Sequence, residues 1–282
     1  GALGLGGWLL VLFFAGWLVA FNGPVALALT GLFTVPAVWV GVEWWKSRRP
    51  LPKLPKWDRL TWFLAGLCGV AVILSFAGGF APVAGIADAL TYHLNLPKEF
   101  IRAGRIYALA YDPNSVFPIL LDVGFGFGLL FGSAAFANLL AVWVSLLAAA
   151  AVYGWGREKA SPAYAALGTA AFVLTPAVYN HFNVPYVDLA LALYAMLGFW
   201  AFCGWTRTRE MAWLGLSGVF CGFALGMKYL AIVYTLILFA AILWETVCRR
   251  RASKNITRQL VVFVFFAAIV GFIWYARSSW EM

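Results

Sequence analysis

Apolar runs of about twenty residues, repeated along nearly the whole chain, constrain this fold more than any other feature. They cover residues 3–21, 25–45, 60–80, 135–154, 162–179, 188–205, 212–227, 229–247 and 260–276. A helix of about 20 residues crosses a hydrocarbon core of roughly 30 Å. An uncharged run of that length can satisfy its backbone N–H and C=O groups in lipid only as a helix. Composition agrees: 64% of the 282 residues are hydrophobic and 11% are charged, against about 25% charged in an ordinary soluble domain. The fold class is therefore all-α, a polytopic transmembrane bundle of about nine or ten spans.

The net charge of +9 would suggest a nucleic-acid partner in a soluble domain. Here fifteen of the twenty Lys and Arg lie in four short stretches between apolar runs, namely Lys46–Arg59, Arg157–Lys159, Arg207–Arg209 and Arg249–Arg258. Such clustering marks cytoplasmic loops and attraction to anionic headgroups. Membrane lipids are the expected partners, and nucleic acid is not. Cys68, Cys203, Cys221 and Cys248 fall within or at the ends of apolar runs, in no metal-binding spacing, so they read as small apolar filler. The chain begins with Gly, and Trp280-Glu281-Met282 closes no element. The expectation is a portion of a longer protein.

Asn22-Gly23-Pro24 reads as a tight turn, which pairs the first two spans. Pro50, Pro52 and Pro55 among Lys and Arg make 46–59 an extended basic linker. The chain then divides into residues 1–59, a transmembrane hairpin with its cytoplasmic linker, and residues 60–282, a transmembrane module with an external loop at 81–117. Residues 118–132 are apolar but short, and they carry Asp122. If they crossed, nine positive residues of later loops would face outward, against the usual bias. A re-entrant or surface-lying segment is expected instead. That topology puts the loop Asn180–Asp188 on the same face as Asp88.

The loop at 81–117 is the one long polar interruption. In a helix over 84–95, Asp88, Tyr92 and Asn95 share a face. Pro97 suits the first turn of a second short helix and Gly104 its C′ position. Phe100 and Ile101 would dip into the membrane interface while Lys98 and Arg102 point outward. The plain alternative is a surface ion pair of Asp88 with Arg102 or Lys98. His93 alone reads more simply as a satisfied structural histidine than as a ligand. Asp188 opens an apolar run, where it could cap a helix or serve a site. Lys228 stands alone between two runs, either snorkelling or holding a phosphate. Asp122 and Glu245 read as weaker candidates, solvated at span ends.

Three blocks carry a resemblance. Asp88-Ala-Leu-Thr-Tyr92-His93-Leu-Asn-Leu-Pro97-Lys98, followed by Gly104-Arg105-Ile106 and Ser115-Val-Phe-Pro118, resembles the first external loop of GT-C superfamily glycosyltransferases. The nearest patterns are the protein-mannosyltransferase-like and aminoarabinose-transferase-like enzymes, related to glycosyltransferase family 39. Tyr186-Val-Asp188 and Gly226-Met-Lys228-Tyr229 recur there, as does Trp274-Tyr-Ala-Arg277. The resemblance covers about residues 60 to 280, and its blocks are specific together and weak singly.

It implies many transmembrane helices with short membrane-parallel helices in the first external loop. It implies a sugar donor carried on a polyprenyl phosphate, in a bacterial cytoplasmic (inner) membrane, with the site facing the extracytoplasmic side. Carried over residue by residue, Asp88 is the base, Asp188 the second acid, and Lys98 and Lys228 hold the lipid-linked phosphate. Tyr92, His93 and Arg102 complete the expected substrate-binding set. Some relatives use a divalent metal, for which His93 and His181 are weak candidates. Displacing a phosphate from an anomeric carbon needs a base at the acceptor hydroxyl and cations where leaving-group charge develops. Full members are commonly longer, and acid pairs found in some are thinner here. A second reading is therefore a non-catalytic GT-C-like structural subunit of a larger membrane complex. Transport is the third, disfavoured because the charges collect at the surfaces rather than in broken helices at mid-membrane.

Overall fold

The computed structural model describes residues 1–47, 57–83, 87–247 and 256–281. The linker residues 48–56, the start of the polar loop at 84–86, and 248–255 with Cys248 and much of the last basic stretch lie outside the described residues, as does Met282.

Each of the nine apolar runs contains a helix. These are α1 (Ala2–Leu18), α2 (Gly23–Lys46), α3 (Arg59–Gly78), α6 (Ala135–Lys159), α7 (Pro162–Leu174), α9 (Asp188–Thr208), α10 (Met211–Met227), α11 (Ala231–Val247) and α12 (Ile256–Glu281). Between them lie α4 (Asn95–Ala103), α5 (Leu120–Leu130) and the one-turn α8 (Pro176–Tyr179). Five of the helices, α2, α3, α6, α9 and α12, are long and apolar enough to cross a membrane; α1, α5, α7, α10 and α11 are shorter and apolar. Among the described residues the only β contact is an isolated bridge between Leu109 and Asp112. The molecule is a multi-pass membrane bundle.

Local chemistry sets the boundaries. Asn22 caps α2, its side chain accepting from Val25 N at 3.1 Å, with Pro24 in the first turn. Asp58 caps α3 through Thr61 N, and that bond with the Thr61 hydroxyl holds the Asp58 carboxyl below its usual range. The run expected over 162–179 breaks at Thr175, because Pro176 disfavours helix in the residue before it. The chain then makes only the single turn of α8. At the far end α12 continues to Glu281 rather than stopping near 276, so Trp280 and Glu281 belong to an element.

The bundle has two distinct ends. At one, Arg207 pairs with Glu158 at 2.8 Å and Arg209 with Glu245 at 3.3 Å, so Glu245 is partnered rather than simply solvated. At the other end lie the α1–α2 turn, α4, and the loops before α5 and α9. The α5 segment does not cross between them. Its 11 residues span about 16 Å, roughly half a hydrocarbon core. Leu120 at its start meets Gly226 near the end of α10, and Phe131 just past its end meets Gly23 at the α1–α2 turn. It is not surface-lying either: Leu120 to Gly126 are buried, enclosed by α1, α4, α6 and α10.

The α4 helix has the amphipathic character expected of it, but its apolar face meets protein instead of the membrane interface. Leu96, Pro97 and Phe100 are buried, with Pro97 against Gly126 of α5. Gly104 ends the helix at φ 69°. Its carbonyl accepts from Phe21 N, and Ile106 N donates to Gly16 O, both at 2.7 Å. The polar loop is thereby tied to α1.

Candidate functional site

The polar segment is positioned from below by α6. Asn138 is buried there, and its Nδ2 donates to the carbonyls of Gly79 at 3.0 Å and Ala81 at 3.1 Å, past the end of α3. Asn183 of the second polar loop packs on Gly78, where even a methyl group would collide with its amide. Ser145 of α6 donates to Phe182 O. One helix therefore holds both polar loops, through side chains about two turns apart.

Asp88 is helical, and the chain then winds into a π turn over Ala89–His93, closed by Leu94 N donating to Ala89 O at 3.0 Å. The wider turn breaks the simple i, i+4 register expected for Asp88, Tyr92 and Asn95. Asp88 stays exposed, Tyr92 is half-buried, and His93 turns inward. His93 Nδ1 lies 2.7 Å from Asp122 Oδ1, with both side chains almost wholly enclosed. Asp122 is thus no solvated acid at a span end. It sits in the first turn of α5 at the floor of the site. An acid entering a short apolar run must find a partner; that signal was present, but nothing local identified His93.

Asp188 is the first residue of α9 and makes no capping bond. Its carboxylate accepts from Lys228 Nζ at 3.0 Å, so capping and free snorkelling both give way to an ion pair. Tyr186 stands between the loops, its ring centroid 5.5 Å from that of His93 and 5.1 Å from that of His181. Burial raises the Tyr92 phenol above its ordinary value, reinforced by Asp88, Asp122 and Asp188. Burial raises Tyr186 in the same direction, with Asp88 and Asp188 adding to it. Asp88 and Asp188 both lie near these two tyrosines.

Tyr92, His93, Asp122 and Lys228 line a cavity of about 230 Å³, whereas Asp88, Asp188, Tyr186 and His181 lie outside its lining. Tyr92, His93 and Asp122 share its lining with Val187, Met227, Lys228 and Tyr229. Asn114, Phe117 and Pro118 complete it. The last group is held by α12. Buried Arg277 donates through Nη2 to Ser115 O at 2.8 Å, Ser278 donates to Val116 O, and Arg277 Nε lies 2.9 Å from Glu281. Trp17 of α1 donates to the other Glu281 oxygen at 3.0 Å.

Lys98 and Arg102 do not line the cavity. They lie on the exposed face of α4, and Arg102 pairs with Glu99 at 2.5 Å. Asp88 therefore does not take Arg102 as its partner. Among the described residues no three His, Cys, Asp or Glu side chains stand close enough to hold an ion. His93 Nδ1 faces Asp122, and His181 Nδ1 is 2.6 Å from Ala177 O. This donor set does not fit a bound metal. Cys68, Cys203 and Cys221 are free thiols remote from it.

Comparison with known families matches residues 124–275 to a profile described as dolichyl-phosphate-mannose-protein mannosyltransferase. The match covers more than half of the chain. The protein belongs to this GT-C glycosyltransferase family. Neither the curated proteins nor the solved structures gave a match. Within the GT-C module the matched stretch contains Asp188, Lys228 and Trp274. Asp88, Tyr92 and His93 precede it, and of these Tyr92 and His93 meet it across the folded cavity.

Proposed function

We propose that this GT-C protein transfers a sugar from a polyprenyl-phosphate donor to an acceptor hydroxyl on the extracytoplasmic face of a bacterial cytoplasmic membrane. In the reaction the acceptor oxygen attacks the anomeric carbon, and the bond from that carbon to the phosphate oxygen breaks with its electron pair leaving on the phosphate. Asp88 takes the acceptor proton. Lys228 offers its ammonium to the phosphate as negative charge grows there, with Asp188 steadying it. Tyr92, its phenol kept protonated by burial and the surrounding carboxylates, offers a hydroxyl to the sugar.

The observation that carries this reading is the state of Asp88. Its carboxylate is exposed and, among the described residues, has no cation within ion-pair distance. It lies near Tyr92, which lines the cavity together with Lys228, while Asp88 itself stands just outside that lining. An acid already neutralised by Arg102 or Lys98 would make a poor base. The reading is tested in membranes expressing the protein, supplied with a polyprenyl-phosphate sugar. Asp88→Asn is expected to abolish transfer at unchanged expression. Transfer at the wild-type rate would remove Asp88 as base, and wild-type membranes that transfer nothing would favour the structural-subunit reading.

A further inference from the structure

Two hydrogen-bonded pairs of a nitrogen base and a carboxylate reach one cavity: His93 with Asp122 at 2.7 Å, both lining it, and Lys228, which lines it, with Asp188 at 3.0 Å. Lys228 is accounted for above, whereas His93 and Asp122 have no role there. We propose that His93, held by Asp122, binds the donor's phosphate through Nε2 and gives it a proton as it leaves.

The argument starts from the two ring nitrogens. A carboxylate beside Nδ1 accepts that nitrogen's hydrogen and fixes the ring orientation, leaving Nε2 as the nitrogen open to a ligand. Nε2 has no protein partner among the described residues, and His93 lines the cavity. A purely structural histidine that is only 3% exposed would be expected to satisfy both nitrogens within the protein. Around it stand Tyr92 and Tyr186, both held in the neutral form, together with Asp122, Asp88 and Lys228. An anionic group entering this space meets N–H donors from two walls. A phosphate has oxygens enough to accept from both.

The inference rests on the transferase reading and extends it to the leaving group. As the anomeric carbon–oxygen bond breaks, the Nε2 proton passes to the departing phosphate oxygen while Asp88 holds the acceptor's proton. The lipid leaves as its hydrogen phosphate, and neutral His93 is reprotonated from solvent. Asp122 keeps its charge throughout and acts as a positioning residue.

The chain has two histidines, so the test is open to spectroscopy independent of turnover. Full-length protein labelled with ¹⁵N-histidine is placed in nanodiscs of zwitterionic lipid, and His181→Gln assigns the two rings. A short-chain polyprenyl phosphate is expected to shift the His93 Nε2 resonance. Inorganic phosphate shifting it equally would identify a general phosphate seat, and phosphatidylglycerol alone shifting it would identify a lipid-headgroup seat. Either result retains the binding half of the proposal; neither supports the proton transfer, which the variants test. A ring unmoved by all three overturns it.

In membranes active for transfer, His93→Gln is expected to lower kcat by about 100-fold, the low end for a proton donor, and to remove the alkaline limb of the kcat–pH profile. Asp122→Asn keeps the shape of the pair and is expected to lower kcat less. Unchanged kcat in folded His93→Gln overturns the proton transfer. Inactive wild-type membranes would instead count against the transferase reading, and the resonance shift would still be readable.

Discussion

Asp122 and Asp188 both lie in the first turn of a helix, and each pairs with one nitrogen base, but burial gives the two pairs different weights. The His93–Asp122 side chains are 4% and 3% exposed, the Lys228–Asp188 side chains 35% and 46%. Breaking a buried pair from one side costs about 3–5 kcal/mol, and an exposed pair contributes at most about 1 kcal/mol. Thermal unfolding in detergent should therefore show Asp122→Ala strongly destabilised and Asp188→Ala close to wild type. Equal losses would mean that the cavity floor is wetter than its geometry. Tyr92 gives a pH signature. Its phenol is raised above an ordinary value near 10, so the native state keeps a proton that the unfolded chain gives up. The stabilisation is complete below pH 10 and is lost as pH rises toward the folded value. Tyr92→Phe should flatten the fall in melting temperature between pH 10 and 11, and an unchanged slope would assign that fall to other groups.

The tightest joint between elements is that of α10 with α12. Gly218, Gly222 and Gly226 recur every four residues on α10, and a methyl group on any of them would come within 2.5–2.7 Å of Phe263 O, Val270 or Trp274. Small residues at this spacing let helix backbones approach in lipid, where packing rather than water drives association. Gly222→Leu should lower the monodisperse folded fraction in detergent, at a cost of about 1–3 kcal/mol or more. Gly66→Leu, on the exposed side of α3 with open space around it, should not; similar losses in both would remove the packing argument. The joint matters for the site because α12 also carries Arg277, which holds the wall at Ser115. Arg277 stood in the sequence as part of a recurring block, but its role as a strut was not legible there. Its partner is 162 residues away, and no local pattern links them.

The molecule as a whole is polarised along the bundle. Glu158, Arg207, Arg209 and Glu245 gather at one end and the cavity lies at the other, as charge counting on short loops expects. The arrangement depends on α5 failing to cross. In a chain with its native cysteines replaced by alanine, Tyr111→Cys and Lys159→Cys should react with a membrane-impermeant maleimide from opposite faces of sealed vesicles. Both replaced residues are exposed in the fold. Labelling of both from the same face would reverse this topology.

Periodicity and charge in the linear chain were enough for the all-α class, for a helix in each of nine apolar runs, for the break at Asn22–Pro24 and for the stop at Gly104. Each of these depends on near neighbours or on the solvent a run must face. The polar residues of both loops could be named for the same reason, since lipid tolerates them nowhere without cause. Which of them meet was a different matter. The π turn redirected His93, the enclosure of α5 turned Asp122 from a solvated acid into its partner, and α4 carried Lys98 and Arg102 away from the cavity. Such pairings depend on backbone register and on contacts across tens of residues, and only packing in three dimensions supplies those.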